Sequence, residues 1–211
     1  MAGATIKNII FDLGGVFLDV DYQRTKQAFV DMGIVNFDDF YQQSFSNPLF
    51  AQLERGLVTP EMFYDHFRVA TATQLSNEEI KEAWNAMLGS FIRSSVAILP
   101  LLKKRYNTYL LSNTNAIHYQ AFNNIHQLEY GNLDFDFHFH KTYYSHLFHE
   151  RKPETMAYEI ILRENNLKKE ETLFVDDTEK NVAGAKSAGV AILHLKKGEL
   201  VENALKQFIL F

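Results

Sequence analysis

Four short apolar runs divide the chain, at residues 9–11, 108–111, 172–175 and 190–193. The first three end abruptly at polar or acidic residues, and the fourth follows Gly189, which is expected to end a helix. Near-continuous apolar strands of this length are typical of a parallel sheet that is covered on both faces. The runs therefore predict four strands of such a sheet.

Helical patterns lie between these runs, at about residues 95–106, 155–165 and 179–187. Pro153 is expected to start the second of these helices at its first turn, where the missing amide costs nothing. Strands and helices that alternate in this way indicate an α/β fold, an open parallel sheet with helices on both faces.

Residues 21–90 have a different character, because they are rich in helix-forming and aromatic residues and contain no β-branched run. Thr59 and Ser76 are each followed by early acidic residues, which is typical of a helix start. The pattern predicts an insertion of about four helices directly after the first strand. The expected domains are an α/β core of residues 1–20 and 91–211 and a helical domain of residues 21–90.

Phenylalanines at positions 135, 137 and 139 alternate with polar residues. This alternation favours a half-buried edge strand.

The composition narrows the function classes. The 211 residues are 46% hydrophobic, contain no cysteine and carry a formal net charge of −5. The missing cysteines exclude disulfides and thiolate chemistry, and an acidic chain without a basic stripe is not expected to bind nucleic acid or an anionic membrane. No apolar run reaches the length of a membrane span, and the N-terminus lacks the pattern of a signal peptide. A cytoplasmic protein is therefore expected.

Polar groups follow three of the predicted strands: Asp12, then Ser112 and Asn113, then Asp176 and Asp177. In open α/β sheets, ligands bind at the carboxyl ends of the strands. Carboxylates crowded there repel one another unless a cation intervenes, and Mg²⁺ suits a few carboxylates together with substrate oxygens. Near such an ion, a phosphate could approach an aspartate.

Two further features suit a phosphate. Ser112 and the backbone amides that follow it could hold phosphate oxygens. Lys152, directly before Pro153, is available as an additional cation.

Four segments, in order along the chain, match the motifs of one family: Phe11 to Val16, Leu111 to Thr114, Arg151 to Pro153, and Phe174 to Asn181. With them the chain resembles the haloacid dehalogenase (HAD) superfamily across nearly its whole length. It is most similar to the bacterial α-D-glucose-1-phosphate phosphatase subgroup, which also has a segment like Glu54-Arg55-Gly56.

The resemblance implies a Rossmann-like core, a small helical cap that closes over the site, and a role for each motif residue. Asp12 would attack phosphorus and form an aspartyl-phosphate. Asp12, the Leu13 carbonyl and Asp177 would bind Mg²⁺, with Asp176 helping directly or through water. Asn181 falls where the family often has an acid that steadies the lysine.

The resemblance also implies a set of substrate-binding residues. Ser112, Asn113 and Thr114 would hold the transferring phosphoryl group, and Lys152 would neutralise both nucleophile and phosphate. Arg55 in the cap is a further candidate for substrate binding.

Gly14 departs from the family pattern, since most of its phosphatases carry a second aspartate there as general acid and base. Losing a positioned acid typically costs ~10²–10⁴ in rate. The glucose-1-phosphate subgroup has the same Asp-Leu-Gly pattern. The change favours a leaving group that needs little protonation, or a proton from water or substrate, and Asp19 and Asp21 are the nearest alternative donors.

The expected function is a magnesium-dependent phosphatase of a small phosphorylated metabolite, such as a sugar phosphate. One alternative is a 2-haloacid dehalogenase, which also lacks the second aspartate; its relatives, however, replace the acidic pair with small polar residues. The other is a protein that binds a phosphorylated ligand without turnover, which only Gly14 favours.

Overall fold

A computed structural model of the chain describes residues 5–42 and 48–209, and a five-stranded parallel sheet lies at its centre. The strands are β1 (Asn8–Phe11), β2 (Leu18–Val20), β3 (Leu88–Phe91), β4 (Asn107–Ser112), β5 (Lys141–Tyr144), β6 (Thr172–Asp176) and β7 (Ala191–His194). The sheet order is β5-β4-β1-β6-β7, while β2 and β3 form a separate antiparallel pair. The predicted α/β fold with a parallel sheet is confirmed, with β5 as an additional strand.

The register of the central strands decides which side chains meet. Phe11 in β1 lies opposite Leu110 in β4 and Val175 in β6. The carboxyl ends of these three strands are therefore level, because each pair runs parallel and in step. Asp12, the first residue after β1, lies between the ends of its two neighbours.

Helices surround the sheet and fill the insertion. Those between β2 and β3 are α1 (Tyr22–Asp31), α2 (Phe37–Gln42), α3 (Pro48–Glu54), α4 (Pro60–Thr71) and α5 (Asn77–Asn85). Those after β3 are α6 (Arg93–Ala97), α7 (Leu99–Arg105), α8 (Ala116–Tyr130), α9 (Ser145–Phe148), α10 (Thr155–Glu164), α11 (Glu179–Ser187) and α12 (Val201–Ala204). Short 3₁₀ helices are Phe135–His138, Lys169–Glu171 and Leu205–Gln207. Within the described ranges, no helix is both long enough and apolar enough to cross a membrane.

The inserted helices have an apolar core of their own, separate from the layers on the sheet. Its largest buried side chains are aromatic: Phe29, Phe37, Phe63, Phe67 and Trp84. The described residues of the insertion form five helices rather than about four. The division into a core of 1–20 and 91–211 and a cap of 21–90 stays a prediction.

Two of the predicted helix starts are confirmed. Thr59 caps α4 by accepting a hydrogen bond from the Met62 amide. Ser76 caps α5 and exchanges hydrogen bonds with Glu79, so that each side chain accepts from the other residue's amide. This reciprocal capping is what the sequence Ser-Asn-Glu-Glu encodes.

Three local predictions are wrong. The helix expected over 95–106 is broken into α6 and α7, because Pro100 in the first turn of α7 has no amide to continue the hydrogen bonds of α6. The edge strand expected at 135–139 is a 3₁₀ helix, whose Phe135 is buried and whose Phe137 is exposed. Such a short alternation of apolar and polar residues does not distinguish the two forms. Finally, α10 begins at Thr155, with Pro153 in the preceding turn.

Thr59→Ala is expected to destabilise the protein by about 1 kcal/mol, because the Met62 amide of α4 loses the hydroxyl oxygen to which it donates. Thr59→Ser keeps the hydroxyl and is the matched control. Urea unfolding of both variants measures the free energy of unfolding. Equal stability of Thr59→Ala and wild type would contradict the assignment of the cap.

Candidate active site

The side chain of Lys152 joins two of the strand ends. Its ammonium nitrogen lies 2.5 Å from Oδ1 of Asp12, after β1, and 2.8 Å from Oδ2 of Asp176, at the end of β6. All three side chains are buried, with Lys152 only 1% exposed. The ring of Phe174 lies beneath the ammonium, 5.7 Å from it. The lysine therefore holds a proposed nucleophile and a second carboxylate in one charge-paired group.

The side-chain amide of Asn113 holds the loop that carries Lys152 (the lysine loop). It donates to the Lys152 carbonyl and accepts from the Lys152 amide, at 2.9 Å in each case. The Asn113 side chain is thus engaged with the protein main chain, although it lines the same cavity as Asp12. This pairing fixes the end of β4 against the lysine loop.

Asp176 is fully enclosed by donors. Its Oδ1 accepts from the Thr178 amide at 2.7 Å and from Nδ2 of Asn181 at 3.2 Å. Its Oδ2 accepts from Lys152 and, at 3.1 Å, from the same Asn181 amide. Asn181 steadies the lysine indirectly, since it orients the carboxylate with which the lysine pairs.

Asp177 packs against the loop that follows Asp12. A Cβ atom on Gly15 would lie 2.1 Å from Oδ2 of Asp177, and Gly15 has a φ of +69°. Close approach and a left-handed backbone both require glycine at this position. Oxygen atoms of Asp12, Asp176 and Asp177, one from each, all lie within 4.8 Å of one another.

The electrostatics of this group fit a cation. Burial raises the pKa of Asp12 to about 7; the Lys152 cation opposes this shift, and the charges of Asp176 and Asp177 add to it. Burial and the charge of Asp176 also raise the pKa of Asp177. Burial disfavours the charge on Lys152, but Asp12 and Asp176 outweigh it and raise the lysine pKa. Three carboxylates around one ammonium leave excess negative charge, which a divalent ion with oxygen ligands would neutralise.

The backbone places Leu13 and Gly14 differently with respect to such an ion. The Leu13 carbonyl accepts from the amides of Val16, Phe17 and Leu18, so it faces the inside of a turn. In the described ranges, no backbone amide donates to the Gly14 carbonyl. The expected Leu13 ligand is therefore already occupied, and the Gly14 carbonyl is the better candidate.

A cavity of about 450 Å³ opens above Asp12. The predicted residues Asp12, Leu13, Ser112, Asn113, Thr114 and Lys152 line it. Its opposite wall comes from the insertion and from β2 and β3, with Tyr41, Glu54, Trp84, Met87 and Leu88. A cavity of this size is ordinary for a small-molecule site.

Ser145 positions Thr114 at the cavity. The Thr114 amide donates to the Ser145 hydroxyl at 2.9 Å, and that hydroxyl donates to the Thr114 carbonyl at 2.8 Å. Ser112 lies at the end of β4, where it is buried opposite Tyr144 of β5. The segment after β4 is thus rigidly held while its side chains face the cavity.

Arg55 lies outside the cavity lining and connects the insertion to the core. Its guanidinium donates to the His149 carbonyl at 2.9 Å, pairs with Glu154, and lies 3.7 Å from Glu150. Nδ1 of His149 lies 2.7 Å from the Arg55 carbonyl. A role of Arg55 in binding substrate stays a prediction, since its charge is used in this contact.

Several cavity residues were not among the predicted catalytic, substrate-binding or metal-binding residues. Glu54 and Arg151 form an ion pair at 2.8 Å between insertion and core. Trp84 packs in the helical core, yet it also lines the cavity and stacks on His118 with ring centroids 4.8 Å apart. Two signals were present in the sequence, the motif that contains Arg151 and the segment Glu54-Arg55-Gly56, but no local pattern indicated that Trp84 lines the cavity.

Asp19 and Asp21, the nearest acids beyond Gly14, are turned toward other partners. Asp19 pairs with Arg24 at 3.1 Å, and Asp21 caps α1 by accepting from the Gln23 amide. Neither lines the cavity. Neither is placed to act as the missing proton donor.

Known proteins are similar to this chain in sequence. The sequence model of haloacid dehalogenase-like hydrolases matches residues 6–189. The chain is 28% identical over 193 residues to the D-ribitol-5-phosphate phosphatase of Bacteroides thetaiotaomicron, covering 92% of this chain and 93% of that protein. It is 27% identical over 210 residues to the sesquiterpene phosphatase astK of Aspergillus oryzae, covering 97% of each.

A solved structure is similar over nearly its whole length. The HAD family enzyme BT-2542 of Bacteroides thetaiotaomicron, in complex with magnesium and inorganic phosphate, has a TM-score of 0.86 to this chain. The two are 32% identical, and the match covers 94% of this chain and 98% of that one.

Gly184→Ala tests how the lysine loop is supported. A Cβ atom at Gly184 in α11 would lie 2.2 Å from the Pro153 carbonyl oxygen, so an alanine must push the loop away. We expect a loss of about 1–3 kcal/mol in the free energy of unfolding and a fall of at least ~10-fold in kcat/KM. Ser187→Ala, on an exposed position of the same helix, is the control and should change neither. Wild-type activity in Gly184→Ala would show that the loop position is not critical.

Proposed function

The chain belongs to the haloacid dehalogenase-like hydrolase family and is a phosphoric monoester hydrolase that uses Mg²⁺; we propose that it hydrolyses a small sugar or polyol phosphate through an aspartyl-phosphate on Asp12. One observation carries the proposal. Lys152 is buried between Asp12 and Asp176, and Asp177 lies at the same strand ends.

Asp12 is proposed as the nucleophile. Its carboxylate attacks phosphorus, and the ester oxygen leaves as the alcohol after taking a proton from solvent or substrate. Water then hydrolyses the acyl-phosphate and regenerates the carboxylate. The Lys152 ammonium beside Oδ1 favours the charged form of Asp12 against the effect of burial, and it attracts the phosphoryl oxygens.

Asp12 and Asp177 are proposed to hold Mg²⁺ together with the Gly14 carbonyl, and Asp176 helps through its charge. Mg²⁺ would neutralise charge on the transferring phosphoryl group. Both oxygens of Asp176 already accept hydrogen bonds, which supports Asp177 as the stronger ligand.

Ser112, Asn113 and Thr114 are proposed to hold the phosphoryl group. The Asn113 side chain is engaged with Lys152, so its backbone amide is the group available to phosphate. A backbone amide after a strand suits an anion because it can donate to a phosphoryl oxygen, whereas the Thr114 amide already donates to Ser145.

The sugar phosphate class is a finer proposal than the enzyme class. It is supported by the polar side chains of Glu54 and Arg151 in the cavity lining and by the similarity to a ribitol phosphate phosphatase. Membership of the glucose-1-phosphate subgroup and a cytoplasmic location stay predictions.

Neither alternative function is favoured by a feature of the site. A dehalogenase has no use for the acidic pair at the end of β6, and the carboxylate cluster suits a cation. A non-catalytic binding protein would not need a buried lysine against the proposed nucleophile.

Phosphate release from a panel of sugar phosphates tests the mechanism directly. Turnover should require Mg²⁺ and stop with a chelator. Asp12→Asn should lower kcat by at least ~10³-fold, because an amide cannot form the acyl-phosphate. Circular dichroism and thermal unfolding serve as controls for folding of the variant. Substantial steady-state hydrolysis by pure Asp12→Asn would rule out the mechanism.

Gly14 generates a second prediction, about the leaving group. With no acid at this position, phenolic esters and sugar 1-phosphates should react faster than alkyl phosphates, and the logarithm of the chemical-step rate should fall as leaving-group pKa rises.

Gly14→Asp should reduce the rate difference between good and poor leaving groups by ~10-fold or more, provided that the carboxyl reaches the ester oxygen. A Cβ there meets only Val20, at 3.4 Å, so the backbone accepts a side chain. A flat plot for the wild type would mean that a proton donor exists in the site.

A further inference from the structure

Glu54 and Arg151 contact each other at the boundary between the insertion and the core. Glu54 ends α3, and Arg151 directly precedes Lys152. Nη2 of Arg151 lies 2.8 Å from Oε2 of Glu54, and each side chain is 23% exposed. Both residues line the cavity above Asp12.

Each residue of this pair has a hydrogen-bonding atom without a partner among the described residues. Oε2 of Glu54 and Nε of Arg151 are buried and make no hydrogen bond in the described part of the chain. The 2.8 Å contact between the two residues is an ion pair, but its angles are not those of a hydrogen bond. Buried polar groups normally have partners, and leaving them without one costs free energy.

Burial and the nearby cations act on the charge of Glu54 in opposite directions. Burial raises the pKa of Glu54, while Arg151, Arg55 and Lys152 oppose the shift. Glu54 and Lys152 line the same cavity. Part of the remaining wall is apolar, with Leu18, Val20, Trp84 and Met87.

We propose that Glu54 and Arg151 together bind a hydroxyl group of the substrate and thereby select polyhydroxylated phosphate esters over apolar ones. This inference rests on the proposed phosphatase function. A hydroxyl is both donor and acceptor, so it can donate to the carboxylate and accept from the guanidinium. The apolar wall packs against the carbon chain.

The same pair works against an apolar ester. An alkyl chain in this cavity would exclude water from a carboxylate and a guanidinium without offering either a hydrogen bond. Sites built to bind a hydroxyl reject analogues that lack it for this reason. Glu54 is therefore a specificity residue of the insertion, which contacts the part of the substrate remote from phosphorus.

Glu54→Gln tests the proposal with two five-carbon esters, D-ribitol 5-phosphate and n-pentyl phosphate. The wild type should prefer the ribitol ester. The substitution removes the charge but keeps the shape, and charged hydrogen bonds are the stronger ones. The wild-type-to-variant ratio of kcat/KM should be ~10-fold larger for ribitol phosphate than for pentyl phosphate.

Glu154→Gln is the matched control. Glu154 pairs with Arg55 at the same contact between insertion and core but does not line the cavity. If Glu54 only held the two parts together, both substitutions would lower kcat/KM for the two esters by the same factor. The proposal expects a substrate-dependent effect from Glu54→Gln alone.

Binding measured without turnover gives an independent readout. Calorimetry of Asp12→Asn with ribitol phosphate and Mg²⁺, with and without Glu54→Gln, should show ~10-fold weaker binding in the double variant. The hydroxyl site would be overturned if the wild-type-to-variant ratio of kcat/KM were the same for the two esters and if Glu54→Gln left the affinity for ribitol phosphate unchanged. The proposed phosphatase function would not be affected by that result. A pentyl phosphate loss as large as the ribitol loss would also overturn it, because Glu54 would then act at the ester oxygen. No hydrolysis of any ester by the wild type would instead overturn the proposed function.

Discussion

The buried ammonium of Lys152 is the constraint on which the site depends. Removing a charge from water is costly unless it is paired and hydrogen-bonded, and removing one partner leaves an uncompensated buried ion. Asp12 and Asp176 supply that compensation from two neighbouring strands. Their positions hold only if β1 and β6 end level with each other, as their parallel register ensures. The same charge that stabilises the buried group also prepares Asp12 for an anionic substrate.

Several polar groups around this ammonium hold other parts of the protein in position. Asn113 holds the Lys152 main chain on both sides, and Thr178 and Asn181 orient Asp176. Gly184 lets α11 approach the carbonyl of the lysine loop closely. Since these interactions involve buried groups in one network, their effects on stability and activity are expected to be coupled rather than additive.

The loop that carries Lys152 also contacts the insertion. Arg55 binds its carbonyl and carboxylate groups, and Glu54 pairs with Arg151, one residue before the lysine. One short segment therefore carries both Lys152, which is proposed to face phosphorus, and the contacts with the insertion, which is proposed to bind the rest of the substrate. The residues proposed to select the substrate lie next to those that position Lys152, so substitutions in one set are expected to affect the function of the other.

The sequence by itself determined four of the five strands of the parallel sheet, the helix starts at Thr59 and Ser76, and the acidic residues at the strand ends. These features depend on local hydrophobic pattern and capping, which neighbouring residues encode. Only the tertiary structure decided that the Leu13 carbonyl is occupied, that Arg55 serves the contact between insertion and core, and that Glu54 reaches the cavity. Hydrogen-bond partners of this kind come from residues far apart in the chain, so no local pattern specifies which of several polar groups will be used by the protein and which will remain for a ligand.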